Sequence, residues 1–407
     1  MKTIKLTCIL MACLGMAACT REREAPMTAV IGAALENAEL QALQMAELLA
    51  GEEGMLPRSF EKGRSITSDS RWWCSGFFPG LLWYLYENDP KPELLDYARL
   101  YTARVEKEKH NTGTHDLGFM LGCSFGNGLR LTGDTACRSV LLTAAESLST
   151  RYNPALGVIK SWDNAKWQYP VIIDNMMNLE LLFRASAMSG DSRFRDICIS
   201  HADRTMKEHY RADFSSYHVV SYDTVTGVPE ARQTHQGYSD ASAWSRGQAW
   251  GLYGYTVMYR ETRDARYLEH AKSVAYFLLS HPAMPDDYIP YWDFDAPNIP
   301  HELRDVSAGA IICSALIEMS GYVDAGLSKR YLQVAETQLR ALASPAYTAG
   351  TGTNGNFILM HGVGSAPHSS EVDVPLTYAD YYYVEALLRY RKLLEMQEGR
   401  RAPLAGA

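Results

Sequence analysis

Clustered basic charge is what this chain most conspicuously lacks. Its 39 Lys and Arg stand against 47 Asp and Glu, a net charge of −8 over 407 residues. No basic run exceeds fragments such as "EKEK" at 106–109. A nucleic-acid footprint, which needs Lys and Arg gathered on one face, is therefore not expected. An anionic substrate would have to be met by a local cationic site against the overall field. Paired cysteines are also missing: no CxxC and no Cys/His spacing points to zinc, and neither a metal nor a cofactor is expected. Cys74, Cys123, Cys137, Cys198 and Cys313 are scattered through apolar segments and read as small buried residues. Disorder is excluded by composition, with 47% hydrophobic and 21% charged residues.

The N-terminal stretch "MKTIKLTCILMACLGMAACTRERE" has Lys2 and Lys5, then an apolar run, then small residues. It is too short and too early to span a membrane and reads as an export signal. The run "MAAC" resembles a bacterial lipoprotein signal, which implies cleavage before Cys19 and lipid on that residue; an ordinary cleaved secretory peptide is the alternative. The expected organisation is a signal over 1–18, a tether over 19–30, one domain over 31–396 and a tail over 397–407. Membrane contact would come only through the lipid anchor, on an exported protein at the periplasmic face of the outer membrane or exposed at the surface.

Helical periodicity dominates the remainder. Helices are expected near 28–51, 72–88, 91–109, 116–131, 135–151, 172–189, 192–210, 243–261, 265–281, 306–322, 326–342 and 378–396. One set is poor in charge and rich in Gly, Ala and aromatics, as in "GFFPGLLWYLYE" and "SAGAIICSALIEM". The other is amphipathic, as in "RYLEHAKSVAYFLLSH". A helix apolar all round must be buried, and one with a single apolar face lies outside against it. Short turns ("TGDTA", "SGDSR", "TRDAR") join inner helices to outer ones, with the Gly or Arg and the Asp or Ser that such caps require. The return connections 152–171, 211–242, 282–305 and 343–377 are long and rich in Trp, His, Pro and Gly, as functional loops are. The fold class is all-α: six helical hairpins closed into an (α/α)6 barrel, with the long loops over one face. An open α-solenoid competes, although its loops are usually more uniform.

Asp116, in "THDLGFMLG", and Asp174, in "VIIDNMMNLELL", stand at the starts of two inner helices on that face. Helix capping and acid catalysis both account for a carboxylate there. The company tilts the balance towards a site. His115 adjoins Asp116; Trp162 and Trp167 precede Asp174; and "THQGYSDASAWSRGQAWG" supplies His235, Gln236, Trp244, Arg246, Gln248 and Trp250. Trp72 and Trp73 open the first inner helix, and His218 lies in another long loop. Trp faces exposed on loops, among planar polar groups, make up a carbohydrate site.

The runs "WWCSGFFPG", "HDLGF", "IDNMMNLELL", "SRGQAWGLYG", "PYWDFDAP", "RDVSAGAI" and "YADYYYVEALL" resemble the unsaturated glucuronyl hydrolases of glycoside hydrolase family 88, over roughly residues 30–395. The resemblance implies an (α/α)6 barrel. It also implies removal of the 4,5-unsaturated uronic acid that polysaccharide lyases leave at the non-reducing end of glycosaminoglycan fragments. It makes Asp174 the acid/base and Asp116 the second essential carboxylate. Sugar contacts fall on Trp73, His115, His218, His235, Gln236, Arg246 and Trp250, with His218 placed by spacing more than by motif. Trp162 joins them from its loop, and Ser369 and Ser370 are candidate contacts to the leaving sugar. Cys74 departs from the family's usual Thr. Arg246 would face the uronate carboxylate or a sulfate, or pair with a framework carboxylate such as Asp240. The implied chemistry is protonation at C4 and hydration at C5 of a vinyl ether, which needs Asp174 held protonated near neutral pH. Rival functions are a rhamnogalacturonyl hydrolase acting on pectin fragments, a non-catalytic glycan-binding lipoprotein, and a sugar epimerase using a His pair.

Overall fold

A computed structural model describes residues 24–164 and 166–401. The export signal, Cys19 and the last residues of the tail lie outside the described residues. Twelve α-helices are present among those described: α1 (Met27–Leu49), α2 (Phe77–Asn88), α3 (Pro92–Val105), α4 (Cys123–Thr132), α5 (Thr135–Ser149), α6 (Asn175–Ser189), α7 (Ser192–Glu208), α8 (Ser245–Thr262), α9 (Ala265–Ser280), α10 (Val306–Met319), α11 (Ala325–Leu342) and α12 (Thr377–Arg401). The even-numbered helices form the inner ring. α2 packs on α4, the Gly118–Gly122 segment that leads into α4 packs on α6, α6 packs on α8, α8 on α10 and α10 on α12. α12 then packs on α2, so the ring closes and the open solenoid is excluded. Inner α10 is buried on almost every side, whereas outer α11 buries one stripe.

The inner-to-outer turns have the anticipated chemistry. Gly133, Gly190 and Arg263 take left-handed conformations at helix ends, and Asp134, Asp191 and Asp264 cap the helices that follow. Several starts differ from expectation. The segment 172–174 is not helical, because Pro170–Ile172 is a strand and α6 begins at Asn175. Residues 72–76 form turns ahead of α2. The stretch expected as one helix over 116–131 opens with a π-helical turn, Gly118–Gly122. There the Phe119 amide donates to the Asn178 side chain of α6 at 2.9 Å, and a neighbour that captures a helix amide widens the turn locally. Four of the five core cysteines are buried and Cys123 is only half-buried.

The long connections are not bare loops. They carry short strands that periodicity did not reveal: β1 (Leu56–Glu61) with β2 (Arg64–Ser68), β3 (Tyr152–Asn153) with β4 (Val158–Ile159), the sheet of β5 (Pro170–Ile172), β6 (Val219–Tyr222) and β7 (Pro229–Gln233), and β8 (Gly362–Ser365) with β9 (Ser370–Val374). These hairpins cover the ring where the inner helices begin. One to two turns deeper, the ring is crosslinked by ions: Glu180 pairs with Arg184 at 2.7 Å and Arg260 at 2.9 Å, and Glu385 accepts from Tyr84, Tyr253 and Ser314. A cavity of about 450 Å³ opens there.

Two inner segments approach unusually closely at Gly118, where a Cβ would lie 2.6 Å from the Asn178 Cα. Backbone offers nowhere for that atom to go. Gly118→Ala is expected to lower stability by about 1–3 kcal/mol, seen as a lower urea midpoint at unchanged slope. An unaltered midpoint would show the contact to be looser than described.

Candidate active site

Capping can be checked directly. Asp134, Asp191, Asp264, Asp305 and Asp324 each accept a hydrogen bond from a first-turn amide of the helix they open. Asp174 does not: its backbone is already helical (φ −54°, ψ −28°), and its side chain takes no amide. Its Oδ2 is buried without any partner. Asp116 accepts from the Thr114 hydroxyl at 2.7 Å and lies 3.3 Å from His115 Nε2. Among the described residues no backbone amide donates to its carboxylate. Five aspartates are caps, and these two are not.

Sheet register brings His218 to Asp174. Ile172 on β5 pairs with Val219 on β6, and the Ile173 amide donates to the His218 carbonyl at 3.0 Å. His218 and Asp174 thus leave the sheet side by side, with Nε2 3.7 Å from Oδ2. The His218 Nδ1 accepts the amides of His235 and Gln236 at 3.1 and 3.2 Å. A nitrogen that accepts has no proton, so the hydrogen-bond network assigns the proton to Nε2. Burial, reinforced by His235 and Arg246, holds His218 well below the usual histidine range. The result is a neutral N–H donor aimed at Asp174. His115 is also shifted down, chiefly by burial, against the pull of Asp116.

Asp174 is raised to about 7. Burial is the largest cause; Arg246 opposes it and the Asp116 carboxylate adds to it. The Trp250 indole exerts a weak downward pull, yet its Nε1 completes no hydrogen bond. Repulsion between the two carboxylates is therefore secondary to loss of water.

Arg246 is fully engaged with the framework. It reaches Asp305 Oδ2 at 3.2 Å, the Val363 carbonyl, and the Gly364 carbonyl at 2.6 Å. Asp240 is not its partner; that carboxylate accepts the Thr234 amide. The guanidinium is boxed between Trp244 and Tyr378, and only Nε lacks a partner. The expectation of tryptophans exposed on the loops also needs correcting. Trp250 is 0% exposed and Trp167 and Trp244 are buried, so their faces are not open to a sugar. Trp72, Trp73 and Trp162 are half-buried, and the Arg58 guanidinium covers the Trp72 ring at 3.9 Å, which leaves Trp73 and Trp162 as the candidates. Trp73 packs with Phe119 and Tyr378, and Phe119 packs on Trp250, which makes one aromatic wall. Trp162 lies 5.2 Å from His235 and 6.1 Å from His218, ring to ring.

Gln236 donates to the Gly364 carbonyl at 3.0 Å, tying its loop to the β8–β9 hairpin. Ser369 is exposed in a left-handed conformation, and Ser370 pairs with Ser365 across that hairpin. Residues the sequence did not single out also belong here. Asp305 and Tyr378 hold Arg246, His368 stacks 4.4 Å from His235, and Glu371 pairs with Arg58 at 2.6 Å. Asp305 and Tyr378 lay within the quoted runs but resembled an ordinary cap and an ordinary core tyrosine. Burial pushes the Cys74 thiol well up, which makes it a packing group and not a nucleophile. Among the described residues, no three His, Cys, Asp or Glu side chains are grouped to hold a metal ion.

Residues 52–392 match the model of Glycosyl Hydrolase Family 88. The chain belongs to that family. It is 44% identical to an unsaturated glucuronyl hydrolase of Formosa agariphila, over 83% of this chain and 85% of the relative. It is 33% identical to an unsaturated chondroitin disaccharide hydrolase of Streptococcus agalactiae, over 85% and 88% of the two chains. Among solved structures, an unsaturated glucuronyl hydrolase specific for heparin superposes with a TM-score of 0.88 at 45% identity, covering 90% of this chain and 98% of that one. This family 88 member is a glycoside hydrolase with the (α/α)6 barrel of those structures.

Burial of Asp174 has a stability signature. Its proton is held in the folded state up to about pH 7 but lost near 3.9 in the unfolded chain. Between those values the folded state binds the extra proton, so stability falls as pH rises and is flat above. Asp174→Asn removes that slope. Urea titrations should show the variant gaining on the parent from about pH 4 to 7, by roughly 4 kcal/mol at the plateau. Parallel curves for the two proteins would mean that Asp174 is not desolvated.

Proposed function

We propose that this enzyme removes the 4,5-unsaturated uronic acid from the non-reducing end of lyase-generated glycosaminoglycan oligosaccharides. The observation that carries this reading is a carboxylic acid kept protonated to about pH 7 in an aromatic-walled site, beside a second carboxylate. The relatives named as unsaturated glucuronyl and chondroitin disaccharide hydrolases support the substrate class.

In the proposed reaction Asp174 gives its proton to C4 of the vinyl ether, and oxocarbenium character develops at C5. The Asp174 carboxylate then takes a proton from water as that water attacks C5. The C5 hemiketal opens to a ketone, which leaves a hemiacetal at C1 that expels the remainder of the chain as an alcohol. One water is consumed, and no bond to the anomeric carbon is attacked directly, unlike the ordinary two-carboxylate glycosidase. Asp116 lifts the proton affinity of Asp174 and, with His115, faces the sugar hydroxyls. His218 supplies a neutral N–H across its 3.7 Å gap to Asp174, where a water or a substrate oxygen fits. It cannot serve as a base, since its one lone pair already accepts two amides; this disfavours an epimerase with a His pair. Trp73 and Trp162 stack on the sugars, Trp250 lies beneath Asp174, and Arg246, Gln236 and His235 hold the walls together.

The substrate's conjugated double bond absorbs ultraviolet light and the product's does not. Incubation with unsaturated glycosaminoglycan disaccharides is expected to bleach the absorbance, and Asp174→Asn to slow this by about 10²–10⁴-fold. Binding with no bleaching by the parent would make the protein a glycan-binding module. Asp116→Asn should move the alkaline limb of the pH–rate profile to lower pH, because one source of repulsion is gone; an unmoved limb contradicts its role.

The proposal extends to export as a lipoprotein, on the strength of Lys2 and Lys5, the apolar run and "MAAC". Cys19→Ala is expected to shift the protein from the membrane fraction to the soluble one. An anchor-independent distribution would leave ordinary secretion as the explanation.

A further inference from the structure

The second carboxylate of the site stands beside an imidazole whose far nitrogen meets a buried hydroxyl. That hydroxyl belongs to Ser161, which follows β4 and is 0% exposed. Its backbone amide donates to the Pro170 carbonyl at 2.8 Å, and its Oγ accepts the Ile172 amide at 2.9 Å, so β5 holds the residue at both points. Arg151 clamps the same segment. Its Nε donates to the Lys160 carbonyl at 2.8 Å and its Nη1 to the Thr112 carbonyl at 2.6 Å, which ties Ser161 to the turn that carries His115 and Asp116. The Ser161 hydroxyl still has a proton to give. Among the described residues, the only acceptor in its reach is His115 Nδ1, at 3.4 Å. A sealed hydroxyl without an acceptor costs free energy that donation avoids. The Ser161 proton therefore points to Nδ1, and an imidazole nitrogen that accepts carries no proton of its own. Burial, against the pull of Asp116 and helped by Arg151, keeps the ring neutral. Its single proton then sits on Nε2, 3.3 Å from Asp116 Oδ1.

We infer that Ser161 is a positioning residue: its hydroxyl fixes the His115 tautomer so that Nε2–H is presented beside Asp116. This rests on the hydrolase reading above. Ser161 is sealed from the pocket and acts only through the ring. A donor and an acceptor 3.3 Å apart can hold one sugar hydroxyl between them, the hydroxyl accepting from His115 and donating to Asp116. With the proton on Nδ1 instead, two acceptors would face a hydroxyl that has one proton to share. The arrangement repeats the one at His218, where two loop amides occupy Nδ1 and leave Nε2–H towards Asp174. β5 serves both rings. The Ile172 amide pins Ser161, and the next amide, of Ile173, pins the His218 carbonyl. One short strand thus aims an imidazole N–H at each of the two carboxylates.

The test reads tautomer and rate separately on the whole enzyme. Nitrogen NMR of isotope-labelled histidine, with the His115 signals identified by their loss in His115→Gln, gives the tautomer without substrate. The parent should show a protonated Nε2 and an unprotonated Nδ1. Ser161→Ala should move the ring towards the Nδ1-protonated form and lower kcat/KM for an unsaturated disaccharide by about tenfold. Ser161→Thr, which keeps the hydroxyl, should retain the parent tautomer and most of the rate. A parent protonated at Nδ1 overturns the assignment even if no variant folds. An unchanged tautomer in folded Ser161→Ala, or a changed one with kcat/KM intact, also overturns it and leaves the hydrolase reading in place. A folded parent that turns over no unsaturated disaccharide overturns the hydrolase reading, whatever its ring nitrogens show.

Discussion

A carboxylic acid that opens a helix without capping it is the constraint on which the site depends. At five other positions the chain uses Asp in the ordinary way, satisfied by first-turn amides. At Asp174 the backbone turns helical one residue early, so the side chain projects away from the amides and into the ring. It is then denied water by burial and denied a close salt bridge, because the nearest guanidinium is turned elsewhere. An isolated buried carboxylate is expensive when ionised, and the proton is retained for that reason. Asp116 reinforces the effect without being its main source.

Arg246 shows how the surroundings protect that condition. Were its guanidinium free to approach Asp174, the carboxyl would ionise at ordinary pH and could not donate. Asp305 and the carbonyls of β8 hold it back, so one residue both braces the β8–β9 hairpin and limits its own influence on the acid. Gln236 ties the adjacent loop to the same Gly364 carbonyl. Hairpins from distant parts of the chain are thereby fixed relative to the inner helices, whose packing at Gly118 fixes Asp116 relative to Asp174.

The barrel was largely legible in the sequence because burial writes itself along a helix. An all-round apolar segment followed by a one-faced one, with a Gly–Asp or Arg–Asp turn between, has few other solutions. The strands were not legible: β5 and β6 have three and four residues, too few for a period to show. Yet it is their register that delivers His218 to Asp174. The π turn was hidden for a similar reason, since its cause is Asn178, which lies 59 residues from the amide it captures. Composition placed Trp on the right face but could not separate Trp73 and Trp162, which are partly open, from Trp250, which is sealed. Nor could it choose the carboxylate partner of Arg246, where Asp240 was nearer in sequence and Asp305 is nearer in space.

Charge complementarity alone would make a pocket that receives a uronate strongly cationic, and this one is not. His115 and His218 are held neutral by burial, and Arg246 is offset by Asp305. The site offers N–H donors with little net positive charge. That choice follows from the acid it serves. Cations around Asp174 would bind the substrate carboxylate more tightly but would also draw the proton affinity of Asp174 down. Neutral donors can satisfy the incoming carboxylate by hydrogen bonds while its negative charge adds to that of Asp116. On this account substrate binding raises the proton affinity of Asp174 further, so the acid is most securely protonated when the double bond is in place to receive the proton.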